Sequence, residues 1–275
     1  MTTSLFKKLW FFSLLSIFCY PSIASQAADT PSINKHKIYA YMLKDRLGKQ
    51  ENLPYNKLLK YVSQDLGDLV EVLPAPLPRS AQNFLQDNNS CIFPTSSAAL
   101  QRVHSEKLAG RLLLNSEPVD FVSIRLYTSK SDPVITDKAQ LKGKVIGHLL
   151  GSVGSLLLNT EGVTIKNVRD ESLLLKMLAR KRIDVLMGHH PDIPMAIERL
   201  QVDDLHFDPD LMVFSTAVHL VCHPFAGSQV ILAAINKRIK EIRANGMAQQ
   251  MLGKYAKIVP LPATAKSGSA ANSTE

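Results

Sequence analysis

Residues 141–154 read Leu-Lys-Gly-Lys-Val-Ile-Gly-His-Leu-Leu-Gly-Ser-Val-Gly. The Lys-Gly-Lys turn runs into an apolar β-rich stretch, which predicts a strand entered through a tight turn. Gly151-Ser-Val-Gly154 then predicts a second turn into an apolar helix at Leu156 to Leu158. A strand near Val163 to Val168 follows, and Glu171 to Lys181 places Leu174, Met177 and Leu178 at helical spacing. Arg182-Ile-Asp-Val-Leu-Met-Gly188 is a basic turn leading into a buried strand. Strands alternating with helices call for a mainly parallel sheet flanked by helices, an α/β architecture.

The same alternation precedes this block. His36 to Met42 reads as a strand, Leu53 to Leu66 as a helix with Leu58, Leu59 and Val62 inward, and Leu69 to Leu73 as a strand. Pro78 opens a helix carrying Ala81, Phe84 and Leu85 on one face. Cys91 to Phe93 reads as a short buried strand and Ser97 to His104 as another helix. Two longer β-rich runs, Val119 to Tyr127 and Leu211 to Cys222, bracket the middle block, and the polar stretch Thr128 to Asp137 marks a boundary. If both runs cross between lobes, the chain forms a discontinuous first lobe (28–127 and 213–261) and a second lobe (128–212), with a ligand site between them. Amphipathic helices at Val230 to Ile242 and Met247 to Tyr255 close the first lobe, and residues 262–275 have the composition of a disordered tail.

The chain has 275 residues, 45% of them hydrophobic, and a formal net charge of +8, which suits a globular core and an anionic ligand or surface. Residues 1–27 have the pattern of a cleaved secretory signal. Lys7 and Lys8 precede an apolar run from Leu9 to Cys19, with small residues at Ser25 and Ala27. The run is shorter than the ~20 residues that span a bilayer, and Phe18 before Cys19 does not fit a lipoprotein site. Cleavage would remove two lysines and no acid, so the charge falls from +8 to +6. It would also remove Trp10, the only tryptophan, and place the protein in the periplasm. Cys91 and Cys222 then remain, either paired or present as small buried hydrophobes.

The mature chain resembles the bacterial extracellular solute-binding proteins of family 3, the amino-acid-type receptors of ABC transporters. The residues that carry the likeness are Leu77-Pro-Arg-Ser80, Ile92-Phe-Pro-Thr-Ser-Ser-Ala-Ala-Leu-Gln-Arg102, Leu141 to Gly147 with Gly151-Ser152, Arg182-Ile-Asp184, and Asn245-Gly246 to Lys254-Tyr255. The resemblance implies the type 2 periplasmic-binding fold, two lobes joined by two crossover strands that close on a small polar or anionic solute. It implies Arg102 as a clamp on a ligand carboxylate, a task suited to a planar guanidinium fork. It also implies Thr95 and Ser97 as hydroxyl or backbone donors, Gly151 and Ser152 as a second anion contact, and Tyr41 as an aromatic wall. Each has a structural alternative: a surface arginine, helix caps, an ordinary turn and a core tyrosine. The place where such receptors carry an acid for the ligand's ammonium group holds His189, followed by His190. Asp192 fills that role if the alignment shifts by three residues.

No cofactor or catalytic residue is expected, because the chain lacks a GxSxG elbow, an HExxH pair or a paired-carboxylate signature. His219 and His223 on one strand stand too far apart for easy joint metal coordination. An exported chain with dispersed basic residues lacks a nucleic-acid footprint. Lys237, Arg238, Lys240 and Arg243 read as a solvated helix face or a partner contact. The expected partners are a small solute and an inner-membrane ABC permease, or alternatively a membrane sensor, with the protein itself a monomer. A dehydratase-like enzyme on the same fold is the more distant alternative.

Overall fold

The computed structural model describes residues 35–158 and 161–257. The expected signal (1–27) and tail (262–275) lie outside the described residues. The first part of the chain forms β1 (His36–Tyr41), α1 (Pro54–Val62), β2 (Val70–Ala75), α2 (Leu77–Gln86), β3 (Ser90–Thr95), α3 (Ser97–Val103), α4 (Ser105–Leu108) and β4 (Leu114–Asn115). The long strand β5 (Asp120–Ser129) leads into β6 (Val145–Leu149), β7 (Thr164–Val168), α5 (Glu171–Ala179), β8 (Val185–His190), α6 (Asp192–Leu200) and β9 (Leu205–His206). The second long strand, β10 (Phe214–Cys222), returns the chain to α7 (Ser228–Ala244) and α8 (Met247–Leu252).

β1 pairs in parallel with β2 and β3, and β6 in parallel with β7 and β8. The two parallel groups are joined through β5 and β10. β5 is antiparallel to β8, while Phe214–Val218 of β10 is antiparallel to Asp120–Ile124 of β5. Beyond Val218, β10 leaves β5 and pairs with β3 and β4. One strand thus belongs to both halves, and the strand order runs β2-β1-β3-β10-β5-β8-β6-β7. β5 and β10 are the two crossover strands.

The cores follow that division. One hydrophobic cluster draws on residues 38–119 and 218–252, centred on Ile38, Tyr55, Leu58, Phe84 and Ile92. Two others cover the faces of the second sheet, Ile124, Ile146 and Met187 on one side, Leu174, Leu186 and Ile193 on the other. In α1, Tyr55, Leu58, Leu59 and Val62 are buried at the spacing of a single helical face. α7 buries Ile231, Leu232, Ile235, Ile239 and Ile242 in the same way.

Several elements depart from the sequence expectation. The helix expected at Leu156 to Leu158 is a five-residue 3₁₀ turn, Val153–Leu157. Its Gly154 sits so close to Met187 that a Cβ there would lie 2.9 Å from Cε, which holds the segment against the sheet. The first helix stops at Val62, and Gln64–Leu69 turns as 3₁₀ through Gly67 at φ 48°. β8 runs two residues past Gly188, whose lack of a side chain lets Ile193 pack onto the strand. Cys91 and Cys222, register partners on β3 and β10, form a disulfide with Cα atoms 4.0 Å apart. The basic face of α7 is spent within the first lobe: Arg238 pairs with Asp65 and Glu241, and Lys240 and Arg243 with Glu117.

Candidate functional site

The strand ends of both lobes meet in a cleft. Its inner part is a cavity of about 100 Å³ walled by Tyr41, Leu77 and Leu100 from the first lobe and by Gly151, Ser152 and His189 from the second. Tyr41, at the end of β1, is buried, and burial, only partly offset by the Thr95 hydroxyl, holds its phenol above the ordinary value. Gly151 adopts φ +85°, a conformation few other residues accept, and its turn rests on Leu77 and Pro78 of the opposite lobe. Ser152 turns its hydroxyl inward along the chain, where it accepts from the Gly154 N–H at 3.3 Å. One of the N–H groups expected to face an anion is therefore already engaged.

Arg102, Thr95 and Ser97 do not line this cavity. Arg102 is exposed at the end of α3, because the buried stripe of that short helix runs through Leu100. Ser97 is bonded to Asn115 in both directions, its hydroxyl accepting at 2.9 Å and its N–H donating at 3.3 Å. The cap of α3 is Ser96, whose Oγ accepts from the Ala99 N–H. Of the seven residues singled out in the sequence, Tyr41, Gly151, Ser152 and His189 come together here. His219 and His223 each bond a different backbone carbonyl, those of Ser116 and Phe84.

A different arginine occupies the deep wall. Arg46 lies in the loop after β1 and is buried, with its guanidinium gripping Asp192 at the start of α6 through two bonds of 2.7 Å. Its third nitrogen donates to the Tyr55 hydroxyl and reaches Asp120 at 3.5 Å, and Tyr55 donates to Asp120 at 2.8 Å. Asp120 also accepts from the N–H groups of Phe121 and Lys257. Burial opposes the charge on Arg46, but Asp192, Tyr55 and Asp120 outweigh it and hold the guanidinium above its ordinary value. Burial dominates at Asp120, whose carboxyl is pushed up despite Arg46. The cluster joins the lobes: Arg46 and Tyr55 belong to the first, Asp192 to the second, and Asp120 opens the crossover strand β5. Around it Arg199 pairs with Asp45 at 2.6 Å, and Lys44 and Arg199 both donate to Ser172. His189, two strand positions from Met187, faces Asp192, Arg46 and His148, and burial lowers its pKa.

Glu171 begins α5 beside this cluster and is buried. Burial first, then Asp192, Asp170 and Asp45, pushes its carboxyl up to about 7 from 4.5. The folded chain therefore keeps a proton that the unfolded chain releases, and stability falls as pH rises from about 4.5 through 7. Glu171→Gln removes this loss. We expect the variant to exceed the parent by roughly 3 kcal/mol in urea unfolding at pH 8 and to match it at pH 4. Equal midpoints at pH 8 would show that the carboxyl carries no such penalty.

No protein-family model matches the chain, and no curated protein matches it in sequence. Solved structures do match. The ligand-binding core of GluR0 from Nostoc punctiforme, in complex with L-glutamate, aligns with 80% of this chain and 98% of its own at TM-score 0.63 and 13% identity. This chain has the two-lobed periplasmic-binding fold. The substrate-binding protein of an amino acid ABC transporter aligns over 80% of this chain and 98% of its own, at TM-score 0.61 and 13% identity. A histidine kinase sensor domain with similarity to periplasmic binding proteins aligns over 82% and 97%, at TM-score 0.64 and 11% identity. At such identities the likeness is one of fold.

Arg46, Tyr55, Asp120 and Glu171 had no sequence signal. Asp192 had one, the three-residue shift past His189.

Proposed function

We propose that the chain is an exported solute-binding protein that captures a small solute between its lobes and passes it to an ABC-type importer. The observation that carries this reading is the cleft, walled by Tyr41 and Leu77 on one side and by Gly151, Ser152 and His189 on the other. A solute touching both walls favours the closed arrangement by its differential contact with the two lobes, and β5 and β10 supply the hinge. The role is binding rather than catalysis. The Cys91–Cys222 disulfide fits an oxidising compartment such as the periplasm, and so does the signal-like start of the sequence. A second reading, a receptor for a membrane signalling partner, draws on the likeness to the histidine kinase sensor domain. Co-purification with a permease or with a kinase separates the two.

The test is thermal unfolding of the mature chain against amino acids, di- and tricarboxylates, sugars and apolar organic acids, followed by dye or calorimetry. A true ligand at 100 times its Kd adds about 2.7 kcal/mol of stability. Leu77→Trp, at a wall position shared by the inner and outer parts of the cleft, is expected to abolish the shift. Silence across the panel, or a hit that survives Leu77→Trp, would overturn the reading.

A further inference from the structure

The cleft opens outward from the Arg46 cluster into a second space of about 690 Å³, several times the inner cavity and within the range of small-molecule sites. Leu43 and Leu77 are common to both. Both lobes contribute here too: the loop after β1 and the start of α2 on one side, the ends of β6 and β7 on the other.

The wall of this outer space is unlike that expected for a polar amino acid. Met42, Leu53, Leu77, Pro78 and Leu150 make it apolar, and Met42 and Leu150 are large apolar side chains left 39% and 45% exposed. Exposed apolar side chains gathered in a concavity shared by two lobes, rather than scattered singly, mark a binding surface. Lys49, Arg79 and Arg169 stand around the apolar wall together with Lys44, which donates to Ser172, and two acids, Asp170, which accepts from the Leu173 N–H, and the buried Glu171, so the lining carries four cations against two carboxyls. Among the described residues, none of Lys49, Arg79 and Arg169 is ion-paired. The adjoining space of about 480 Å³ on the other flank of the cleft differs in this respect, because its charges satisfy one another, Arg199 with Asp45 and Lys254 with Glu198. Meanwhile the deep wall, where a cationic group would find Asp192, is filled by Arg46.

We propose that the outer cleft binds an amphipathic organic anion, an apolar aliphatic or aromatic body bearing one carboxylate or sulfonate and no ammonium group. The body packs against Leu53, Leu77, Pro78 and Leu150, and the anionic end lies among Lys49, Arg79 and Arg169. Asp192, the acid of the inner cavity, is already paired with the chain's own guanidinium, and of the two acids lining the outer space Asp170 caps α5 and Glu171 is buried, so neither stands free as the counter-charge of a ligand's ammonium group. This inference rests on the reading of the cleft as a solute site and names the chemistry of the solute.

The test is calorimetric titration of the mature chain with three probes: octanoate, octylamine and L-glutamate. Octanoate is expected to bind with a stoichiometry of one. Octylamine, equal in apolar length but opposite in charge, is expected to bind at least about tenfold more weakly, the effect of one charged contact. Leu150→Glu, at a partly exposed position that the fold tolerates, should abolish octanoate binding, and Arg79→Ala with Arg169→Ala should weaken it about tenfold or more. Equal binding of octylamine would overturn the charge assignment, and octanoate binding indifferent to Leu150→Glu would overturn the location. Binding of L-glutamate but not octanoate would overturn this inference and leave the solute-binding reading standing. Silence from these probes and from the broader panel alike would overturn both.

Discussion

Arg46→Met is expected to lose about 3–5 kcal/mol of unfolding free energy, the cost of leaving a buried charge without its partner. The variant keeps most of the side-chain volume, so the loss is electrostatic. Asp192 forfeits both of its 2.7 Å bonds, and Asp120 keeps only Tyr55 and two backbone N–H groups. Pairing the change with Asp192→Leu removes the stranded carboxylate, and apolar replacements for a buried ion pair are often neutral. The double variant is therefore expected to recover at least half of the loss, while Arg46→Lys falls in between because an ammonium cannot reproduce the two-pronged grip. Urea unfolding of the set decides it. A single-variant cost below about 1 kcal/mol, the scale of an exposed pair, would show that the cluster is open to water.

The second large effect belongs to the disulfide. Cys91 and Cys222 are 131 positions apart and join β3 to the half of β10 that has left the hinge. Closing a loop of that length restrains the unfolded chain by about 5 kcal/mol in the chain-entropy account, and native disulfides commonly give about 2–5. Cys91→Ala with Cys222→Ala, or reduction of the parent, is expected to lower the melting temperature markedly while leaving the cleft residues in place. A melting temperature unchanged by reductant would mean that the two thiols do not pair in the folded protein.

What the sequence disclosed, and what it hid, follows the reach of each signal. Alternation and period were enough for the α/β architecture, because the buried stripes of α1 and α7 and the apolar runs of β1, β6 and β8 are local features. The two crossover strands were legible for the same reason, as the longest β-rich runs in the chain. The site was harder. Arg102 was placed by its position after Ile92 to Leu100, but a helix of seven residues presents only one buried stripe, and Arg102 lies off it. Arg46 lies in an irregular loop held by a lone bridge between Leu43 and Leu47, and its partner is 146 positions away. No periodicity could announce that pair. Asp192 was offset from the expected place because β8 continues through His189 and His190 before α6 begins. Glu171 looked like an ordinary acidic residue in a first helical turn, and only the tertiary packing of Asp192 and Asp45 around it gives the carboxyl its unusual affinity for a proton.

In the proposed closure β5 and β10 are the hinge, and the Arg46 cluster fastens the two lobes across the cleft. Small-angle X-ray scattering of the parent and of Arg46→Met, at matched concentration and with circular dichroism confirming that both are folded, decides whether it does. A larger radius of gyration is expected for the variant, as the second lobe swings away on its crossover strands. Superimposable profiles from two folded proteins would contradict it, since the lobes would then be held by something other than this pair.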